Sequence, residues 1–186
     1  MEQRKSKLDI RIMTKAALCI SLLSISSYLV IPLPFTPIVL SLHTVMVNLI
    51  GLILSPTQAG LTVGVYLIMG LIGLPVFSAG SSGPGKLFGP TGGFYFGFLI
   101  AVIVISLLKG ARPGLIRYSL VTVFLGIPIQ HIMAILFMVL FNRVSIPAAA
   151  MSVSIPFLVG DVIKCIMASV LGVALNQILF RFAVSD

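Results

Sequence analysis

Charge is scarce in this chain. Of its 186 residues only 9% are Asp, Glu, Lys or Arg, and four of those are acids. A soluble domain carries about 25% charged residues, so an ordinary soluble fold is excluded. Cysteine is equally rare. Cys19 and Cys165 each fall inside an apolar run, which argues against a disulfide framework and leaves both as small packing residues. The two histidines, His43 and His131, have no acid beside them in sequence and make neither a metal set nor a catalytic base. An intramembrane enzyme would need paired acids, a His/Glu metal set or a nucleophile with its base. None is visible, so the chain reads as a non-enzyme with no metal and no resident cofactor.

What fills the chain instead is apolar sequence, 59% of residues, with a mean hydropathy of +1.20. A helix needs about 20 mostly apolar residues to cross a hydrocarbon core of roughly 30 Å. Six runs fit, at 12–31, 39–54, 59–74, 92–108, 116–141 and 156–180, the second and third of them short. Between them stand turn-forming stretches: "PLPFTP", "SPTQ", a Gly/Pro/Ser segment at 75–91, "KGARPG" and "NRVSIPAAAMSVSI". The expected fold is an all-α integral membrane protein of six transmembrane helices in a single membrane domain, 1–186. Pro128 predicts a kink in the fifth run. The basic start followed by an apolar run reads as a retained helix, because the run is too long for a signal peptide and lacks an A-x-A exit.

Twelve basic residues set the orientation. Arg4, Lys5, Lys7, Arg11 and Lys15 precede or open the first run, Lys109, Arg112 and Arg117 surround the fourth connection, and Arg181 follows the sixth run. By the positive-inside rule these regions are cytoplasmic, so both termini are inside. The first, third and fifth connections then lie outside, where Lys86 and Arg143 are the only charges. The net charge of +8 is thereby explained by topology and gives no reason to expect a nucleic-acid partner.

One acid departs from this pattern. Glu2, Asp9 and Asp186 belong to the aqueous termini, but Asp161 lies within the sixth run, in "VGDVIK". A charge at the bilayer centre costs at least about 2.5–3.5 kcal/mol, so an ionisable residue kept there is a functional-site hypothesis by default. Asp161 and Lys164 are spaced i and i+3 and can face one interior position, each neutralising the other. Three readings follow: a structural ion pair between helices, a ligand-binding pair, and part of a proton relay to which only His43 and His131 could contribute. The remaining intramembrane polar residues, Asn48, Gln58, Gln130, Asn142, Asn176 and Gln177 with the two histidines, read as interhelical hydrogen-bonding groups.

The third connection is the other unusual feature: "GLPVFSAGSSGPGKLFGPTGGFYFGF" at 73–98. Its "GSSGPGK" meets the first seven positions of a P-loop, but Leu87 stands where Ser or Thr must hold magnesium, and no soluble strand precedes it. Glycines do let a backbone approach a ligand closely, and a loop is tolerated at membrane depth where it lines a cavity. Phe77, Phe88, Phe94 and Tyr95 give it more apolar surface than a solvated linker keeps.

This loop, followed on the sixth run by "GDVIK", resembles the BioY family, the biotin-binding S components of energy-coupling factor (ECF) transporters. The six runs, the basic start and the short "PLPFTP" connection agree with that family. The resemblance implies a bacterial cell-membrane protein that captures biotin in a pocket near the outer face, lined by a glycine-rich outer loop. It also implies a membrane coupling subunit and two cytoplasmic ATPases as partners, with ATP used by those partners alone; the oligomeric state stays open, homo-oligomers included. Carried onto this sequence, Asp161 and Lys164 match the family's pocket pair, and the segment containing Gly80, Ser81, Ser82, Gly83, Lys86, Gly92 and Gly93 matches its pocket wall. Phe35, Phe77 and Tyr95 are candidate apolar contacts, and Thr36 a candidate polar one. Biotin's ureido ring offers two N–H donors and a carbonyl acceptor, which a carboxylate and an ammonium can meet, in either pose of the ligand. Family members often carry a strict A-x-x-x-A repeat on the first helix for partner docking. Here Ala17 and Ser21 stand at that spacing with Ser24 beyond, a small-xxx-small face that permits close helix approach. The alternative function is a self-contained or proton-coupled carrier using the Asp161/Lys164 pair, which six short runs without a detectable repeat fit poorly.

Overall fold

The computed structural model describes residues 2–31 and 40–184. The predicted all-helical class is what the chain adopts, apart from one two-residue strand pair. The helices are α1 (Glu2–Ser26), α2 (His43–Ile53), α3 (Pro56–Leu71), the single turn α4 (Pro84–Leu87), α5 (Gly92–Leu108), α6 (Leu115–Val121), α7 (Ile127–Asn142), α8 (Ile146–Val153) and α9 (Leu158–Val184). Strands β1 (Val30–Ile31) and β2 (Leu40–Ser41) pair antiparallel, Val30 opposite Ser41 and Ile31 opposite Leu40. Phe35 and Thr36 lie outside the described residues.

Several boundaries differ from the apolar runs for local reasons. The first helix stops at Ser26 because the chain then turns into β1, and β2 delays the second helix to His43. "SPTQ" is a helix start rather than a connection: the Ser55 N–H donates to Gln58 Oε1 at 3.3 Å, with Pro56 at the first helical position. That use of Gln58 replaces its expected interhelical bond. Asn142 likewise turns back on its own helix, donating to Met138 Sδ at 2.9 Å. The stretch "NRVSIPAAAMSVSI" contains α8 and a 3₁₀ turn at Ile155–Phe157. Ahead of Pro128, α6 and α7 are joined by a π-helical segment, Thr122–Gly126. A proline cannot donate to the helical ladder, and a π turn is one way for a helix to accommodate the missing bond.

Among the described residues two helical stretches, Leu115–Asn142 and Ile146–Leu179, are long and apolar enough to cross a membrane. The bundle is apolar on its outer surface as well as in its core. On α9 the exposed positions include Val159, Ile163 and Val170, at 75%, 56% and 50% exposure, whereas Asp161 and Lys164 are buried at 5% and 6%. Water would reverse that pattern, and hydrocarbon explains it.

Packing registers are set by small residues and polar ties. α5 lies against α7 through Gly93 and Gly97, where an added Cβ would stand 2.1 Å from the Met133 carbonyl oxygen and 2.9 Å from Gln130 Cα. Asn176 on α9 donates to the Leu52 carbonyl and the Tyr118 hydroxyl, both at 3.0 Å. The end of α2 is closed by Ser106 Oγ, which donates to the Leu54 carbonyl at 2.6 Å, and by the Lys109 ammonium on the same oxygen. The main apolar core, including Leu23, Val47, Ile50, Val63, Tyr66, Phe77, Tyr95 and Phe98, joins α1, α2, α3, α5 and the 75–91 connection.

Candidate ligand site

Asp161 enters the interior on the first turn of α9. Both of its carboxylate oxygens are engaged. Lys164 Nζ donates to Oδ1 at 2.9 Å, one turn along the same helix, and His131 Nε2 from α7 donates to Oδ2, also at 2.9 Å. All three side chains are buried. A carboxylate has about four lone-pair directions, so two remain for another donor. The ring of Phe94 meets His131 edge-on at 5.9 Å, and the Gly93 and Gly97 contact fixes α7 at the height where this happens.

A second buried polar cluster sits on the other side of the α5 N-terminus. His43, the first residue of α2, has its Nε2 2.9 Å from the Tyr66 hydroxyl, and that hydroxyl donates to the Val76 carbonyl at 2.9 Å. Because the Tyr66 proton is committed to Val76, His43 Nε2 is the donor and Nδ1 the acceptor. Ser41 Oγ and Ser78 Oγ both lie 3.3 Å from Nδ1. Tyr95 completes the arrangement by accepting the Ser78 N–H at 3.0 Å. The turn that opens the 75–91 connection is therefore bound to α2, α3 and α5 at once.

The residues expected at the site divide by environment. Asp161 and Lys164 meet as the i, i+3 spacing requires. Phe77 and Tyr95 are buried with ring centres 4.4 Å apart, and Phe77 covers Gly70. Ser81 donates to the Ser78 carbonyl at 2.7 Å, and its own carbonyl accepts the Phe77 N–H, so Ser81 closes the turn. Gly80, at φ +68°, lies under the Tyr28 ring, and Gly83, at φ +89°, donates its N–H to the Gly70 carbonyl at 2.8 Å. Ser82 is half-buried beside them. Lys86 ends α4 half-buried, and burial lowers its pKa. Gly92 and Gly93 are packing positions, their missing side chains filled by the Leu87 and Met133 carbonyl oxygens. Ala17 and Ser21 are exposed on α1, and Ser24 is half-buried.

His131 makes the interhelical hydrogen bond expected of it, and its partner is Asp161. The sequence offers both histidines as possible neighbours of the Asp161/Lys164 pair and does not say which of them reaches it.

A helical bundle with apolar side chains outward and an ionisable cluster buried within has the surface of a membrane protein. The chain belongs to the BioY family, whose family model matches residues 1–181. It is 32% identical over 171 residues to the biotin transporter BioY2 of Lactococcus lactis subsp. cremoris, covering 90% of this chain and 91% of that one. The biotin transporter BioY of Thermotoga maritima is 30% identical, with 90% and 97% covered. The fold is similar to a 2.1 Å crystal structure of the S component for biotin from an ECF-type ABC transporter, with a TM-score of 0.85, 23% identity, and 92% and 93% of the two chains covered.

Proposed function

We propose that this chain is the biotin-capture subunit of an ECF-type uptake system in a bacterial cell membrane. It crosses the membrane six times with both termini cytoplasmic. The observation that carries this reading is the Asp161 carboxylate, buried and held at 2.9 Å by both Lys164 and His131, in a member of a family whose named relatives are biotin transporters. A ureido ring supplies the N–H donors that the two remaining carboxylate lone pairs can accept, and the Lys164 ammonium can share a proton with a ligand oxygen. The turn at Ser78–Gly83, fixed by His43, Tyr66 and Tyr95, forms the outer wall with Lys86 near the entrance. A coupling subunit docks on the small-residue face of α1 at Ala17 and Ser21, and two ATPases drive release. Biotin should bind purified protein tightly without ATP, and mass spectrometry of the denatured protein should find biotin released from it. Release of a different small molecule, with no heat of biotin binding by titration calorimetry, would sink the assignment.

A proton-coupled carrier is favoured by one observation, the His131 imidazole on the Asp161 carboxylate, which supplies a second titratable partner at 2.9 Å. It predicts biotin uptake by the chain alone in liposomes when a pH gradient is imposed, and no uptake when the gradient is collapsed.

A further inference from the structure

His131 has a second nitrogen whose partner the protein does not provide. Among the described residues four buried polar atoms lack a hydrogen bond: Ser27 Oγ, Asn48 Oδ1, Gln130 Nε2 and His131 Nδ1. Only the last belongs to a side chain bonded to the ionisable pair. The imidazole is 5% exposed, and its Nε2 is committed to Asp161 Oδ2 at 2.9 Å. A carboxylate oxygen accepts, so Nε2 must carry the proton. Asp161 and Lys164 already cancel in charge, and a neutral His131 keeps the buried cluster at zero net charge. In that form Nδ1 is a bare acceptor. A buried acceptor without a donor is costly, and buried polar groups in native proteins are nearly always paired.

We infer that His131 Nδ1 is a ligand-binding atom, which accepts one N–H of the bound molecule beside the Asp161 carboxylate. The inference rests on the proposed capture of a ureido ligand and deepens it. Asp161 takes one ureido N–H and His131 the other, so the ring is read by two acceptors on different helices, α9 and α7. The edge-on Phe94 ring restrains the imidazole and holds Nδ1 in place. A ligand that presents only one N–H on that edge satisfies one acceptor and leaves the other buried and unpaired. The site therefore discriminates a cyclic urea from a cyclic carbamate.

The test uses the purified full chain, biotin, and two biotin analogues in which one or the other ureido N–H is replaced by oxygen. His131→Gln keeps an NH₂ donor within reach of Asp161 Oδ2 and displaces the acceptor, because its amide oxygen stands one bond further from the main chain than Nδ1 does. Wild-type protein should lose about tenfold or more in affinity for either analogue relative to biotin. His131→Gln should bind biotin about tenfold more weakly, and one of the two analogues should bind this variant as well as biotin does. Unchanged biotin affinity in His131→Gln, or an equal loss for biotin and both analogues, would overturn the inference. Should the variant fail to fold, nitrogen-15 spectra of wild-type protein labelled at histidine decide the matter. An unprotonated imidazole nitrogen moves upfield when it accepts a hydrogen bond, so the His131 Nδ1 resonance should move upfield on adding biotin. A resonance already upfield and unmoved by biotin means a water occupies the position, and the inference fails. Failure of the underlying function looks different: wild-type protein then gives no biotin binding at all.

Discussion

Replacing Asp161 with Asn tests the site most directly. The substitution keeps the side chain's size but turns one of two engaged oxygens into an NH₂ donor. If the amide oxygen stays toward Lys164, the NH₂ meets His131 Nε2, and two donors oppose each other. The imidazole can relieve this by moving its proton to Nδ1, which lets the helices stay packed. It cannot relieve the charge, because Lys164 is left as a buried ammonium with no counter-ion. Losing a charge-assisted bond to the ligand and leaving that charge unpaired should together cost roughly 3–5 kcal/mol, a weakening of about 100-fold to several thousand-fold. Lys164→Met should do less. The flexible apolar side chain fills the space, and Asp161 keeps the His131 Nε2–H at 2.9 Å. The double variant Asp161→Asn with Lys164→Met separates the readings. If the pair serves the ligand, the double variant regains thermal stability but not affinity, since the carboxylate's charge and its second acceptor oxygen are still missing. Biotin titration calorimetry in detergent with parallel melting curves measures both. Near-normal affinity in a folded double variant would refute the reasoning and leave the pair as a tie between helices.

Other expectations follow from the same geometry. Ala17→Leu fills the exposed small-residue face of α1 and should lower uptake in cells while biotin binding persists; unchanged uptake removes the reason for placing a partner there. Single cysteines at positions 86 and 143 should label from outside intact cells and those at 109 and 112 should not; the reverse pattern inverts the orientation. Gly93→Ala sets a methyl 2.1 Å from the Met133 carbonyl oxygen, so α5 and α7 must separate at a cost of about 1–3 kcal/mol, with biotin binding weakened because α7 carries His131. Gly85→Ala meets no atom within 4 Å and should melt like the parent chain, which makes it the control. Burial lowers the Lys109 pKa from 10.5 to about 8. Between those values the unfolded chain binds more protons than the folded one, so stability should rise as pH increases from about 8 toward 10.5. The half-exposed position keeps the effect small, and Lys109→Met should flatten the slope in melting curves.

Hydropathy and helical periodicity are local properties, and what they govern was legible in the amino-acid order. The membrane class and the helical content follow from apolar runs that no watery fold could carry. The Asp161/Lys164 pair follows from three residues of helix, and its 2.9 Å contact needs nothing but α9 itself. The "SPTQ" helix start was local too, a capping pattern hidden by reading Ser and Pro as a connection. Residues distant in sequence were decided by tertiary structure. His131 is 30 positions from Asp161, and its bond exists because α7 lies against α5 at the height set by Gly93 and Gly97. The same holds for His43, whose Nδ1 receives Ser41 from the first outer connection and Ser78 from the third. Two histidines, neither beside an acid in sequence, thus took different tasks, one on the ionisable pair and one beneath the loop. The physical reason is that a side chain's hydrogen-bond partner depends on the register between helices, and that register is set by which small residues let the backbones touch.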